Sequence, residues 1–259
     1  MAMSTKNEDR RVEWSAGPLR APKTALLIAQ RIVSDITENG RQPGDVLPSE
    51  RAMVAEYDVG RATVREALRF LEMQGVIRIK PGVNGGPVVV APTFRNLAST
   101  IALLLQLSDA PFRDVIEVRL VLDPALAAHA ATRITKAQLA EIRASIDRMA
   151  AGLDDLELFR AENKRFHDIV SWTSGNYLFG YLIESLQWIT SGTIRRESTL
   201  ARRKRVLKGH TAVYDAIASR DPDKAFSSMR KHMAEWAREA ERDFPELLDA
   251  PPRWDQFPV

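Results

Sequence analysis

The chain has 259 residues, 45% of them apolar and 27% charged, with a formal net charge of only +3. That length suits one large or two ordinary domains, and the composition belongs to globular rather than disordered chains. The absence of cysteine excludes disulfides, thiolate metal sites and cysteine nucleophiles and fits a reducing compartment, while the near-balance of charge means that nucleic-acid binding has to be argued from a local motif.

Residues 1–19 read as a mobile, polar tail without the apolar stretch of a secretion signal. The segment 23–39, "KTALLIAQRIVSDITEN", carries apolar residues at helical spacing, and Gly40 stops it. "RQPGDVLPSE" is a loop rich in turn residues. Two short helical patterns follow at 49–57 and 61–74, with a turn at 58–60 between them. "VIRIKPGVNGGPVVV" is two β-branched runs around a Gly/Pro/Asn turn, which predicts a β-hairpin. "APTFRN" reads as a linker.

From about residue 97 to 243 the pattern is entirely helical, with six or seven helices. Thr135 and Gln138 form a capping box, Asp221 and Pro222 occupy N-cap and N1, and "SGN" at 174–176 separates two helices. The last stretch, 244–259, is rich in proline and is expected to pack irregularly or extend. The longest apolar run, "LASTIALLLQL", is about half the length of a membrane-spanning helix, so the protein is expected to be soluble and cytoplasmic with no membrane partner. The fold class is therefore mainly α: a tail (1–19), a winged helix-turn-helix domain (20–92), a linker (93–98), an antiparallel α-helical bundle (99–243) and a proline-rich tail (244–259).

Within residues 47–75, a helix of about nine residues, a short turn and a longer helix match helix-turn-helix spacing. Val64, Ala67, Leu68 and Leu71 form the inward stripe of the second helix, and Arg61, Arg65 and Arg69 share its outer face. Arg61 and Arg65 lie in the opening turns, where a recognition helix meets base edges and an arginine can pair with guanine in bidentate fashion. Gly60 can serve as N-cap, and the exposed amides beside it suit a phosphate. On spacing alone a solvated basic face is an equal reading; the hairpin downstream, a possible wing, tips the balance toward DNA.

The string "LPSERAMVAEYDVGRATVREALRFLEMQGVIRIKPGVNGG" closely resembles the winged helix-turn-helix of GntR-family transcription regulators, over residues from about 20 to 90. It departs at Gly60, where the family usually has serine, and at Met53, usually leucine; glycine still caps and methionine still fills a core. The resemblance implies a phosphate or base contact for Arg51, base contacts for Arg61 and Arg65, a phosphate contact for Thr63, and a place for Gly82 in the wing near the minor groove. It also implies a homodimer on a pseudo-palindromic operator in double-stranded DNA.

In the helical half, His167 shares a stripe with Asn163, Phe166 and Val170; His210 with Val206, Val213, Tyr214 and Ile217; and His232 with Met229, Met233 and Trp236. A lone inward histidine is usually a hydrogen-bonded core residue. Three from different helices favour a shared partner, because burying an unpaired polar group is costly. Three imidazoles and one oxygen suit a zinc-type divalent ion, and the amide oxygen of Asn163, one turn before His167, could be the fourth ligand. Arg119 lies on a helix so apolar that its facing is open; a snorkelling or salt-bridged surface arginine is the plainer reading.

The segments "EVRLVLDPALAAHAA", "NKRFHDIVSWTSGN", "GHTAVYDAIASRDPDKA" and "MRKHM" look like the FCD effector domain of the FadR subfamily, in the right order and spacing. Many such domains hold a metal on three histidines and an acidic residue one turn before the first. The resemblance therefore implies ligands at His167, His210 and His232, with Asn163 standing where Asp is commoner, and a divalent ion such as Zn, with Ni or Mn possible. A neutral amide binds a cation more weakly than a carboxylate and leaves more positive charge for an anionic effector. The resemblance also gives Arg119 the carboxylate of a small organic-acid effector, held in bidentate fashion. His129 reads as structural, and the basic run "RRESTLARRKRVLK" (195–208) as a solvated helix end and loop rather than a second DNA site. The expected function is a ligand-responsive regulator of transcription, more commonly a repressor in this family. One alternative keeps DNA binding but has a metal-free pocket for an acyl-CoA or other lipid. A remote one is a metalloenzyme, against which stand the absence of HExxH and of a carboxylate placed as general base.

Overall fold

A computed structural model describes residues 23–82, 85–91, 93–194 and 199–257. The tail read at 1–19 lies outside the described residues, as do positions 83–84 of the wing turn, 92 of the linker and 195–198 of the basic run. The chain forms two compact units, Met1–Asn96 and Leu97–Val259.

The first unit contains α1 (Lys23–Glu38), α2 (Glu50–Tyr57), α3 (Arg61–Met73), β1 (Ile77–Lys80) and β2 (Gly86–Val89). In α1, Ala25, Ala29, Ile32 and Ile36 recur at helical spacing and are buried. In α3 the buried set is Val64, Ala67, Leu68 and Leu71, the stripe expected from the sequence. Ala29, Ile32 and Ile36 share one core with the α3 stripe and with Leu47, Met53, Ile77 and Val89. Ser49 caps α2 by accepting from the Ala52 amide, and α2 ends where Asp58 turns left-handed (φ +50°). The strands pair antiparallel from Ile77 opposite Val89 to Lys80 opposite Gly86, and a bridge from Val46 to Val88 ties the preceding loop to the hairpin.

The second unit is helical: α4 (Arg95–Leu107), which begins within the stretch read as a linker, α5 (Phe112–Arg133), α6 (Lys136–Ala151), α7 (Leu156–Thr173), α8 (Tyr177–Thr193), α9 (Leu200–Ala218), α10 (Pro222–Asp243) and the short α11 (Pro245–Asp249). The capping box at Thr135 and the Asp221–Pro222 start of α10 form as expected. Asp155, Asn176 and Thr199 cap α7, α8 and α9 through side-chain oxygens. The core draws on α5, α6, α7, α9 and α10, including Ala127, Ile142, Phe166, Val213 and Met229. In the basic run, Arg202 and Arg205 are both paired with Glu239 of α10. Among the described residues no helix is long and apolar enough to cross a membrane.

The C-terminal stretch packs onto this unit. Phe244, Leu248 and Phe257 are buried. Trp254 donates its indole N–H to Ser99 Oγ at 2.8 Å and its backbone N–H to Gln106 Oε1 at 2.7 Å. Phe257 packs against Gly192 of α8, where a β-carbon would approach its ring to 2.3 Å. Pro245 opens the short α11 at its first turn, and the prolines beyond it do not stop aromatic side chains from finding a groove. Phe257→Ala is expected to destabilise the helical unit by about 3 kcal/mol, the cost of emptying a buried aromatic site. A urea-unfolding midpoint equal to that of the wild type would show that the segment merely hangs from the bundle.

Candidate functional site

In the first unit, α3 presents Arg61, Arg65 and Arg69 to solvent, and Arg51 on α2 is likewise exposed; Thr63 is half-buried. Gly60, extended at φ −68° and ψ 152°, starts α3 with no side-chain cap, so no side chain competes for an anion there. Gly82 sits in the wing turn at φ +105°, with open space where a β-carbon would go. The restraint there is conformational rather than steric, since other residues rarely adopt that backbone. Arg65 is engaged: its Nε donates to Glu50 Oε2 at 3.0 Å, with the two side chains 65% and 39% exposed. So exposed a pair contributes at most about 1 kcal/mol, and a better acceptor such as a guanine edge can displace it.

In the second unit, α7, α9 and α10 bring His167, His210 and His232 together, with one ligand atom from each lying within 4.8 Å of the others. The ring centroids are 5.1 Å apart for His167 and His210, 4.7 Å for His210 and His232, and 5.6 Å for His167 and His232. Phe166 stacks on His210 at 3.8 Å, which holds that ring's plane. His210 is wholly buried, and neither of its ring nitrogens has a hydrogen-bond partner. A buried imidazole in that state pays its desolvation without return, and a divalent cation is a partner that would repay it. The donor set fits such an ion.

The electrostatics agree. Burial pushes the pKa of His167 and of His210 well below the usual value near 6.5, and neighbouring imidazoles, with Arg119 in the case of His167, push in the same direction. His232 is pushed down to about 4, by burial first and then by Arg119. All three rings are therefore neutral near neutral pH, the form that ligates a metal.

A small cavity of about 70 Å³ opens beside the cluster, lined by Arg119, Asn163, His167, Gln187, His232 and Trp236 among others. That is room for a few ligand atoms, not for a long acyl chain. Asn163 is half-buried and stands one turn before His167. Arg119 is not at the surface: it is 5% exposed, its guanidinium lies 5.7 Å from the Trp236 ring centroid, and one amino group donates to Asp123 Oδ2 at 2.8 Å. Its Nε is buried without an acceptor, as is the Gln187 amide nitrogen. Burial raises the pKa of Asp123, and Arg119 opposes that rise. His129 is exposed, away from this cluster.

Three residues of the site escape sequence reasoning. Asp123 is visible in the sequence as the acid one turn after Arg119, but α5 carries other acids too, among them Asp114 and Glu117, and nothing in the spacing singles it out. Gln187 is an amide in an apolar run. Gly209 precedes His210 in mid-helix; a β-carbon there would come within 2.4 Å of His232 Nδ1, so glycine lets α10 bring its histidine against α9.

Gly209→Ala tests that contact. Alanine ordinarily stabilises a helix interior by roughly 0.5–1 kcal/mol over glycine, but here the expected outcome is a lower unfolding midpoint and a displaced His232. A raised midpoint would contradict the packing. The depressed imidazoles also give a pH dependence. Protonation is easier unfolded than folded, so their contribution is complete above about pH 6.5 and is lost as pH falls, for His232 as it approaches about 4. Asp123 acts in the opposite sense, so the comparison is made in Asp123→Asn. Between about pH 7 and about pH 5, the metal-free variant should lose roughly 2 kcal/mol of urea stability from His232 alone; a flat profile would count against the buried cluster.

Comparison with known proteins agrees with this architecture. The profile of "Bacterial regulatory proteins, gntR family" matches residues 24–84, and that of the FCD domain matches residues 114–235. The HTH-type transcriptional repressor NanR of Salmonella schwarzengrund is 26% identical over 222 residues, covering 83% of this chain and 84% of that protein. NanR of Salmonella newport is equally similar, at 26% over 83% of this chain and 85% of its own. Among solved structures, Streptococcus agalactiae GntR superposes with a TM-score of 0.63 at 23% identity, covering 83% of this chain and 99% of that one, which is a likeness of fold. The expected fold class, a winged helix-turn-helix followed by a helical bundle, is thus borne out, and the chain belongs to the GntR family of bacterial regulatory proteins, as a DNA-binding transcription regulator with an FCD domain and not an enzyme.

Proposed function

We propose that the protein is a homodimeric repressor of the FadR subfamily that releases a pseudo-palindromic operator in response to a small carboxylate-bearing metabolite. In this reading Arg61 and Arg65 read bases, Arg51 and Thr63 hold the DNA backbone, and Gly82 carries the wing. His167, His210 and His232, with Asn163 as a weaker oxygen donor, hold a divalent metal, zinc first and nickel or manganese after it. Bound there, the metal supplies a positive centre for an anionic effector. Arg119 takes the effector's carboxylate.

One observation carries this reading: a wholly buried His210 with both ring nitrogens unpartnered, beside two further imidazoles and a buried arginine. The small cavity favours a small acid over the acyl-CoA alternative. The repressor assignment leans on the printed names of the similar NanR proteins. Effector binding can shift the DNA-binding equilibrium only if the effector prefers one of two arrangements of the dimer.

Elemental analysis of protein purified without chelator is expected to find close to one zinc-type ion per chain, and His210→Ala is expected to lose it. Wild-type protein that stays metal-free after addition of zinc or nickel would overturn the metal reading. On the DNA side, operator affinity should fall linearly in log–log form with salt. Arg65→Ala should relax preference at one base position by about 1–3 kcal/mol. An unchanged preference would remove Arg65 from the reading helix.

A further inference from the structure

We propose that Asp123 is a positioning residue shared between Arg119 and His167, and that it converts occupation of the arginine by an anion into tighter metal binding. The inference rests on the metal-and-acid reading above and adds to it a residue and a direction of coupling.

Asp123 lies one helical turn after Arg119 on α5, and the two are only 3% and 5% exposed. A single oxygen, Oδ2, accepts from the Arg119 amino group at 2.8 Å and lies 4.0 Å from Nδ1 of His167. It is bonded to the first and just out of reach of the second, since a hydrogen bond needs an approach of roughly 1 Å more. With His167 neutral, the longer approach is not an ion pair. The carboxylate therefore stands between a guanidinium and an imidazole nitrogen and is bonded only to the first.

Arg119 has capacity left. Its Nε is buried without an acceptor and its side chain lines the cavity. An anion that enters and pairs with the guanidinium weakens the hold of Arg119 on Asp123, because one cation then faces two anions. The released Oδ2 has His167 Nδ1 as its next donor. When the other ring nitrogen of His167 ligates a metal, Nδ1 carries the proton, and a carboxylate acceptor there fixes the tautomer, orients the ring and strengthens the ligand. Effector binding thereby tightens metal binding, and by linkage the metal tightens the effector by the same factor. A static role, in which Asp123 only neutralises a buried arginine, makes no such link.

The test needs no effector, because removing the guanidinium imitates its diversion. Zinc affinity of the full-length protein is measured by competition with a chromophoric chelator for the wild type, Asp123→Asn, Arg119→Met and the double variant, with folding followed by circular dichroism. Arg119→Gln replaces Arg119→Met if that variant misfolds. Arg119→Met is expected to bind zinc more tightly than the wild type. Adding Asp123→Asn to it is expected to abolish the gain and lower affinity about 10- to 100-fold, the usual effect of losing an outer-shell partner. Asp123→Asn alone is expected to have a smaller effect, since Arg119 already holds the carboxylate. If the gain of Arg119→Met persists in the double variant, it is simple relief of repulsion between arginine and metal, and the inference is overturned while the metal reading stands. A wild type that binds no zinc overturns both.

Discussion

An imidazole in a protein interior with neither nitrogen bonded is an unstable arrangement unless something answers it, and His210 sets that condition for the helical unit. Its ring is stacked on Phe166, a contact that turning toward a backbone partner would break. Around it α7 and α10 supply two more neutral rings, α5 supplies a buried ion pair, and α8 contributes Gln187 to the neighbouring cavity. The same packing that makes a core of Phe166, Val213 and Met229 thus fixes the spacing of the three nitrogens. Hydrophobic burial positions the donors, and the unmet polar valence is what marks the place as a candidate site.

Charge is distributed to match. The buried arginine and aspartate cancel, so the region is near neutral before anything binds, and the rings are kept neutral by desolvation. Isolated buried charges would have distorted the bundle, whereas a hydrogen-bonded pair is tolerated there at modest cost. In the other unit the logic is reversed: Arg51, Arg61 and Arg65 stay in water, and the pair of Arg65 with Glu50 is weak enough to exchange.

Much of this is legible in the sequence, for identifiable reasons. Helical spacing alone puts His167, His210 and His232 on inward stripes, because each sits among apolar residues at intervals of three and four. The same rule finds the core of α3 and the exposed arginines opposite it. It fails for α5, which is buried on most sides and has almost no amphipathic contrast, so the facing of Arg119 and Asp123 cannot be read. Pro124, inside that helix, gives a further misleading signal. Gly209 escapes because its value lies in what α10 places against it, a relation between residues 23 positions apart along the chain. For the C-terminal segment the sequence leaves irregular packing and extension both open, because its prolines mask the burial of Phe244, Leu248 and Phe257.

The contact between Gly209 and His232 has an evolutionary corollary. A helix interior normally drifts from glycine toward alanine, since the change costs nothing in space and gains helix stability. Here that drift is blocked only while an imidazole occupies position 232. In relatives that have abandoned the histidine cluster, glycine at the position equivalent to 209 should be free to disappear, so the pair should be kept or lost together, and a small residue with no chemistry of its own becomes a marker of whether the cluster is in use.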